Sequence, residues 1–109
     1  MDKKYQEACS YLKRYRFYKS IIEQPFIDAM GLGKPRRWKQ IEVWCDQVNG
    51  AVSAITDPGQ AKLIRDEFIV PGGSRTLAQA QLGLKKSQYY KVRKRAVLEW
   101  WELVNREGN

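Results

Sequence analysis

Histidine is absent from this sequence of 109 residues, and cysteine occurs only twice. Without histidine, the Ser-His-Asp and Cys-His catalytic arrangements and histidine-ligated metal sites are excluded. Cys9 and Cys45 lie 36 positions apart with no CxxC pattern, so we expect two reduced, packing thiols rather than a zinc or iron–sulfur site. The acidic residues are scattered along the chain. We therefore predict a protein that is not an enzyme and that holds no cofactor and no metal.

Long apolar runs are missing as well. No segment approaches the roughly 20 consecutive apolar residues that cross a bilayer as a helix. Met1–Lys4 leads into a mixed polar and aromatic stretch, unlike the apolar centre of a signal peptide. We expect a cytoplasmic protein with no membrane partner.

Acidic residues are few compared with basic ones. The chain has 12 Asp and Glu against 20 Lys and Arg, which gives a net charge of +8. Between Phe68 and Leu98 there are seven basic residues and no acid, whereas the rest of the chain has 13 basic and 12 acidic residues. The seven are Arg75, Lys85, Lys86, Lys91, Arg93, Lys94 and Arg95. The positive side chains of such a cluster repel one another along a helix. Nucleic-acid phosphates neutralise these charges, and the release of their condensed counterions favours binding.

Hydrophobic spacing, with proline and glycine as breaks, predicts an all-α fold of about five helices. The first predicted segment is a helix over Lys3–Gln24, which Pro25 and then Gly31–Pro35 end to make a linker. A helix from Pro35 through Ile55 and a short helix from Pro58, capped by Asp57, follow. After a break at Val70–Ser74, interpreted as a hinge, come a second short helix, a tight turn at Leu82–Leu84 and a long helix from Lys86 to Arg106. No strand-like alternation appears. We predict an N-terminal helical region over 1–70 and a DNA-binding unit over 71–109, packed together as one compact domain.

Residues 76–96 have the pattern of a helix-turn-helix. Gly83 supplies a turn residue that adopts positive φ at little cost. Four apolar side chains are placed to close the two helices onto each other: Leu82, Leu84, Tyr89 and Val92. Ser87 is the predicted N-cap of the second helix. Trp100 continues the stripe of Tyr89 and is expected in the core, whereas Trp101 lies beside it and is expected to meet another helix or another subunit.

In a helix-turn-helix the second helix enters the major groove, and base-reading side chains cluster near its N-terminal half. Base contacts are predicted from Lys85, Lys86, Gln88, Tyr90 and Lys91. Phosphate contacts are predicted from Arg75, Arg93, Lys94 and Arg95. With Ser87, these residues form the predicted DNA-binding set, and double-stranded DNA is the predicted partner.

The stretch LGLKKSQYYKVRKRAVLEWWELV, with its turn glycine, paired tyrosines, basic run and hydrophobic tail, resembles the end of the RinA/ArpU-type late-gene transcriptional activators of phages that infect Gram-positive bacteria. Two upstream segments, IIEQPFIDAMGLGKPRRWKQIE and DPGQAKLIRDEFI, are similar to helices that precede the DNA-binding unit in that family. The family usually has a small residue four positions before the turn glycine, where this chain has Gln79. The resemblance implies a helix-turn-helix similar to region four of bacterial sigma factors, an activator of packaging and lysis genes, contact with host RNA polymerase, and a location at the bacterial nucleoid.

Several alternatives remain open at this point. A small terminase-type packaging protein that recognises DNA is the second hypothesis, and a helical module that binds an acidic protein is the third. Another basic cluster, at Lys34, Arg36, Arg37 and Lys39, is interpreted as a solvated helix start beside a buried Trp38, with an auxiliary phosphate contact as the alternative. The first helix carries more aromatic surface than one stripe needs, which indicates intramolecular packing and, for the remainder, a homo-oligomer.

Overall fold

The computed structural model describes residues 2–22 and 36–107, apart from the side chains of residues 22, 36–38 and 107. These residues form five α-helices and no strand, which confirms the predicted all-α fold. The helices are α1 (Lys3–Ile22), α2 (Arg36–Ser53), α3 (Pro58–Ile64), α4 (Arg75–Leu82) and α5 (Lys86–Glu107), with a π-helical turn, Arg65–Ile69, continuing α3. The predicted linker, Lys34 and the side chains of Arg36, Arg37 and Trp38 lie outside the described residues.

Local capping explains where three of the helices begin. Asp57 accepts hydrogen bonds from the backbone N–H groups of Gly59 at 2.8 Å and Gln60 at 3.2 Å, and Pro58 follows it, which confirms the predicted start of α3. Asp2 caps α1 through the N–H of Lys4 at 3.0 Å. At α4 the hydroxyl of Ser74 accepts from the N–H of Leu77 at 3.1 Å.

One hydrophobic cluster joins all five helices. The buried face of α5 packs against α1, α2 and α3, so side chains from both predicted regions, 1–70 and 71–109, share the same core. Trp100 is fully buried, and its indole N–H donates to the carbonyl oxygen of Val48 at 3.2 Å. This placement confirms Trp100 as a core residue and ties the end of α5 to α2.

Aromatic packing accounts for part of the large apolar surface of α1. The ring of Tyr11 lies 4.9 Å from that of Trp44, 5.7 Å from Trp100 and 5.5 Å from Trp101, measured between centroids. Trp101 thus meets another helix of the same chain. Phe17 and Val43 remain exposed, so the homo-oligomer stays a prediction.

Cys9 and Cys45 are both buried, and no disulfide joins them, as expected for packing thiols. Within residues 2–22 and 36–107, no helix combines the length and apolar character required to span a bilayer.

Candidate nucleic-acid interface

The helix-turn-helix forms where the sequence predicts it, with α4 and α5 joined by a turn at Gly83. Gly83 adopts the left-handed conformation at φ 65°, and the N–H of Leu84 donates to the carbonyl oxygen of Gln79 at 3.3 Å. These features end α4 with a Schellman-type cap. Tyr89 is fully buried, and Leu82, Leu84 and Val92 pack against the core, which confirms that these four apolar side chains face inward. The direct contacts that they were predicted to make between the two helices stay a prediction.

The small residue that lets α4 approach the core is Ala78, which is fully buried. Gln79 is half-buried beside the turn, and its side-chain amide donates to the carbonyl oxygen of Leu84 at 3.2 Å. Gln79 therefore reinforces the turn.

The N-cap of α5 is Lys85, and the prediction of Ser87 was wrong. The helix begins at Lys86, and the carbonyl oxygen of Lys85 accepts the first helical hydrogen bond, from the N–H of Tyr89 at 2.8 Å. The side-chain oxygen of Gln88 accepts from the N–H of Lys85 at 3.3 Å. A cap residue with Gln three positions later is half of a capping box, in which the amide side chain satisfies the backbone N–H at the helix start.

The exposed face of α5 carries most of the predicted DNA-binding residues. Its N-terminal half presents positive and polar side chains to solvent and contains no acidic residue. The exposed members are Lys85, Lys86, Ser87, Gln88, Lys91, Lys94 and Arg95. Lys91 lies at the centre, because Ser87 and Lys94 flank it at helical spacing on one side and Gln88 and Arg95 on the other.

Arg75 and Tyr90 form a contact at the border of this face. The Arg75 guanidinium donates a hydrogen bond from Nη1 to the Tyr90 hydroxyl and lies 5.6 Å from the centroid of the Tyr90 ring. The Tyr90 hydroxyl already accepts from Arg75 and the Tyr90 side chain is half-buried, so the predicted base contact from Tyr90 does not fit this placement.

Arg93 lies away from the exposed face, in a buried polar network. Its side chain is 12% exposed, and Nε donates to the Glu67 carboxylate at 2.9 Å and Nη2 at 2.7 Å. Nη1 donates to the hydroxyl of Tyr5 at 2.5 Å. The Tyr89 hydroxyl donates to the same carboxylate. The predicted phosphate contact from Arg93 does not fit this placement, and Arg93 is a structural residue instead.

The network sets the charge states of its members. Burial alone disfavours the Arg93 guanidinium, but hydrogen bonds and attraction from Glu67 outweigh burial, so the pKa of Arg93 is raised. Burial, and then the negative charge of Glu67, raise the pKa of Tyr89. Arg93 therefore stays charged and Tyr89 stays protonated near neutral pH.

The sequence did contain a signal for the inward position of Arg93. Tyr89, Arg93, Ala96 and Trp100 are spaced by four, three and four residues, which places them on one face of a helix. Arg93 also belongs to the basic run over residues 91–95, which indicates an exposed position instead. Glu67 was missed as its partner because the two residues are 26 positions apart.

The described residues contain no cluster of three or more His, Cys, Asp or Glu side chains placed to hold a metal ion. Comparison of the chain with protein-family models, with curated proteins and with solved structures found no match.

Proposed function

We propose that this protein is a non-enzymatic, sequence-specific DNA-binding regulator of transcription. The observation that carries the proposal is the exposed face of the N-terminal half of α5, which follows a glycine turn and is positive without any acidic residue. An α-helix fits the major groove, and lysine and arginine on its flanks neutralise phosphates and release counterions.

Within this proposal, Lys91 lies deepest in the groove because it is at the centre of the exposed face. Gln88 can form fewer base contacts than a glutamine whose side chain has no other hydrogen bond. Its side-chain oxygen is used at the start of α5, so its amide is left to donate to a base acceptor such as guanine O6 or N7. The bidentate contact with adenine, which needs both amide atoms, is not expected while the cap is in place.

Around this centre, phosphate contacts come from the border of the face. They are assigned to Arg75, Lys86, Lys94 and Arg95, with Lys85 at the turn. For about five phosphate contacts, the logarithm of the association constant falls by roughly 4.5 per decade of salt, at about 0.9 for each contact.

The test begins by selecting bound duplexes from a random-sequence pool, because the operator is unknown. Fluorescence anisotropy then measures affinity for the selected and for a scrambled duplex across a salt series. Lys91→Ala should weaken binding to the selected duplex by about 1–3 kcal/mol and reduce the preference over the scrambled one. Arg106→Ala is the matched control, because Arg106 is an exposed cation on α5, about 22 Å farther along the axis.

Equal affinity for both duplexes, or affinity that does not change with salt, would contradict the proposal. Tight binding to an acidic protein, with no binding to the duplex, would indicate the interaction-module hypothesis instead.

The narrower assignment, an activator of phage late genes that acts with host RNA polymerase, rests only on the resemblance of the sequence to RinA/ArpU-type activators. A reporter driven by a promoter that contains the selected site tests it. Activation supports the assignment. A silent reporter together with a ring-sized native mass would favour the packaging protein.

A further inference from the structure

Three basic side chains from two separate helices line one cleft outside α5. Lys13 and Arg16 come from α1, and Arg75 comes from the first turn of α4. The cleft has a volume of about 310 Å³, and Phe68, Gly73 and Ser74 complete its walls. We call it the α1–α4 cleft. Arg75 is 62 positions from Lys13 and 59 from Arg16 in the sequence, so only the fold brings it to the other two cations.

No described carboxylate forms an ion pair with any of these three cations. The nearest candidate is Glu67, which borders the cleft, but its carboxylate is occupied by Arg93 and by Tyr89. The α1–α4 cleft therefore retains a concentrated positive charge with which no carboxylate of the described residues forms an ion pair.

The fold holds Arg16 at this cleft through backbone contacts. Nη2 of Arg16 donates to the backbone carbonyl oxygen of Glu67 in the π-helical turn. A side chain at position 73 would interfere, because a Cβ atom on Gly73 would lie 2.6 Å from Nη2 of Arg16 and 2.2 Å from the carbonyl oxygen of Asp66. Glycine at this position thus lets the guanidinium lie directly over the loop before α4.

Arg75 connects the α1–α4 cleft to the border of the exposed face of α5. Arg75 lines the cleft and also bonds Tyr90, and Lys94 follows Tyr90 by one helical turn. A DNA strand that runs along the border of α5 would therefore pass from Lys94 and Tyr90 to Arg75 and then to Lys13.

We infer that the α1–α4 cleft binds a backbone phosphate of the same DNA duplex, so that α1 forms part of the DNA-binding surface. This inference rests on the proposed DNA-binding function. Its chemistry is that of a phosphodiester: a compact anion whose oxygens accept hydrogen bonds from lysine and arginine in any base sequence. Lys13 is the freest of the three cations, because it is exposed and forms none of the backbone or tyrosine contacts that hold Arg16 and Arg75.

The experiment compares Lys13→Ala with Lys3→Ala in the full chain. Both residues are exposed lysines on α1, about 15 Å apart along the axis, and only Lys13 lines the α1–α4 cleft. Loss of one phosphate contact should make the salt slope shallower by about 0.9. The loss of affinity caused by Lys13→Ala should therefore be roughly eightfold greater at 0.1 M salt than at 1 M salt. This loss should be the same for the selected and the scrambled duplex, because a phosphate contact does not depend on base sequence. Lys3→Ala should match the unmodified protein in both slope and affinity.

Two results would overturn the inference while leaving the proposed function intact. In the first, Lys13→Ala binds like Lys3→Ala, while Lys91→Ala still loses affinity. In the second, Lys13→Ala weakens binding to the selected duplex only and leaves the salt slope unchanged. If the unmodified protein binds no duplex, the proposed function and this inference fail together. Arg16→Gln, compared at a temperature where circular dichroism shows both proteins folded, should reproduce the shallower slope; an unchanged slope counts against the cleft.

Discussion

The buried contact between Glu67 and Arg93 allows a quantitative test of the fold. Glu67→Gln keeps the size of the side chain but removes its charge, which leaves the Arg93 guanidinium without an anion. The two side chains are 7% and 12% exposed, so solvent screens the pair little. Removal of one partner of a buried pair typically costs about 3–5 kcal/mol, because the remaining charge stays buried and uncompensated.

Thermal unfolding measured by circular dichroism is the assay. At about 4 °C per kcal/mol for a domain of this size, the Tm of Glu67→Gln should fall by roughly 12–20 °C. Glu102→Gln is the matched control, because this carboxylate pairs at 3.7 Å with Lys4, and the two side chains are 58% and 53% exposed. An exposed pair of this kind contributes about 0.5 kcal/mol.

A double mutant separates the ion pair from general damage to the core. Arg93→Met alone leaves Glu67 buried without its cation, whereas Arg93→Met combined with Glu67→Gln leaves neither charge. The decrease in the free energy of unfolding for the double mutant should therefore be smaller than the sum of the decreases for the two single mutants, by about 1 kcal/mol or more. A Tm for Glu67→Gln within about 3 °C of the unmodified protein, or strictly additive single effects, would refute the reasoning. The salt slope of DNA binding should be unchanged in the double mutant, since Arg93 is not a phosphate contact.

Three further predictions concern stability. Gly83→Ala should cost about 1–2 kcal/mol in urea unfolding, because φ is 65° and no atom lies within 4 Å to add a clash; Gly83→Asn should cost less. Asp57→Ala should cost about 1 kcal/mol by loss of the α3 cap, whereas Asp57→Asn should retain most of the stability. Folding raises the pKa of Tyr89, so above about pH 10 this hydroxyl ionises in the unfolded chain but stays protonated in the folded one. The free energy of unfolding should therefore fall as pH rises beyond that value. Tyr89→Phe should show a smaller fall between pH 9 and 11, and an equal fall would count against the burial of the hydroxyl.

Much of the architecture follows from local chemistry that the sequence displays directly. Asp57 followed by proline starts α3, and Gly83 ends α4, because each acts on backbone groups within a few residues. The apolar stripe through Tyr89 and Trp100 likewise predicts which face of α5 is buried. These features need no knowledge of distant partners, which is why the predicted bounds of α5, Lys86 to Arg106, lie within one residue of those in the structure, Lys86–Glu107.

The parts that could not be predicted depend on contacts between distant segments. Glu67 and Phe68 are adjacent in sequence and yet both buried, which a regular amphipathic pattern does not indicate. The π-helical turn Arg65–Ile69 contains both of them, and such turns alter the register of side chains relative to an α-helix. The cleft formed by Lys13, Arg16 and Arg75 likewise has no local sequence signal, since nothing near Lys13 and Arg16 in the sequence relates them to Arg75.

The structure also changes the meaning of the net charge. The acid-free window contains seven basic residues, but Glu67, just outside it, neutralises Arg93 within the core. The window therefore offers six cations to a partner, and α1 adds Lys13 and Arg16 at its border. The boundary of the charged surface thus differs from the boundary of the helix-turn-helix, because the N-terminal helices both remove a charge from α5 and supply two beside it. A DNA-binding role for this protein consequently depends on the whole fold, and the packing of α1 against α5 determines how far that surface extends.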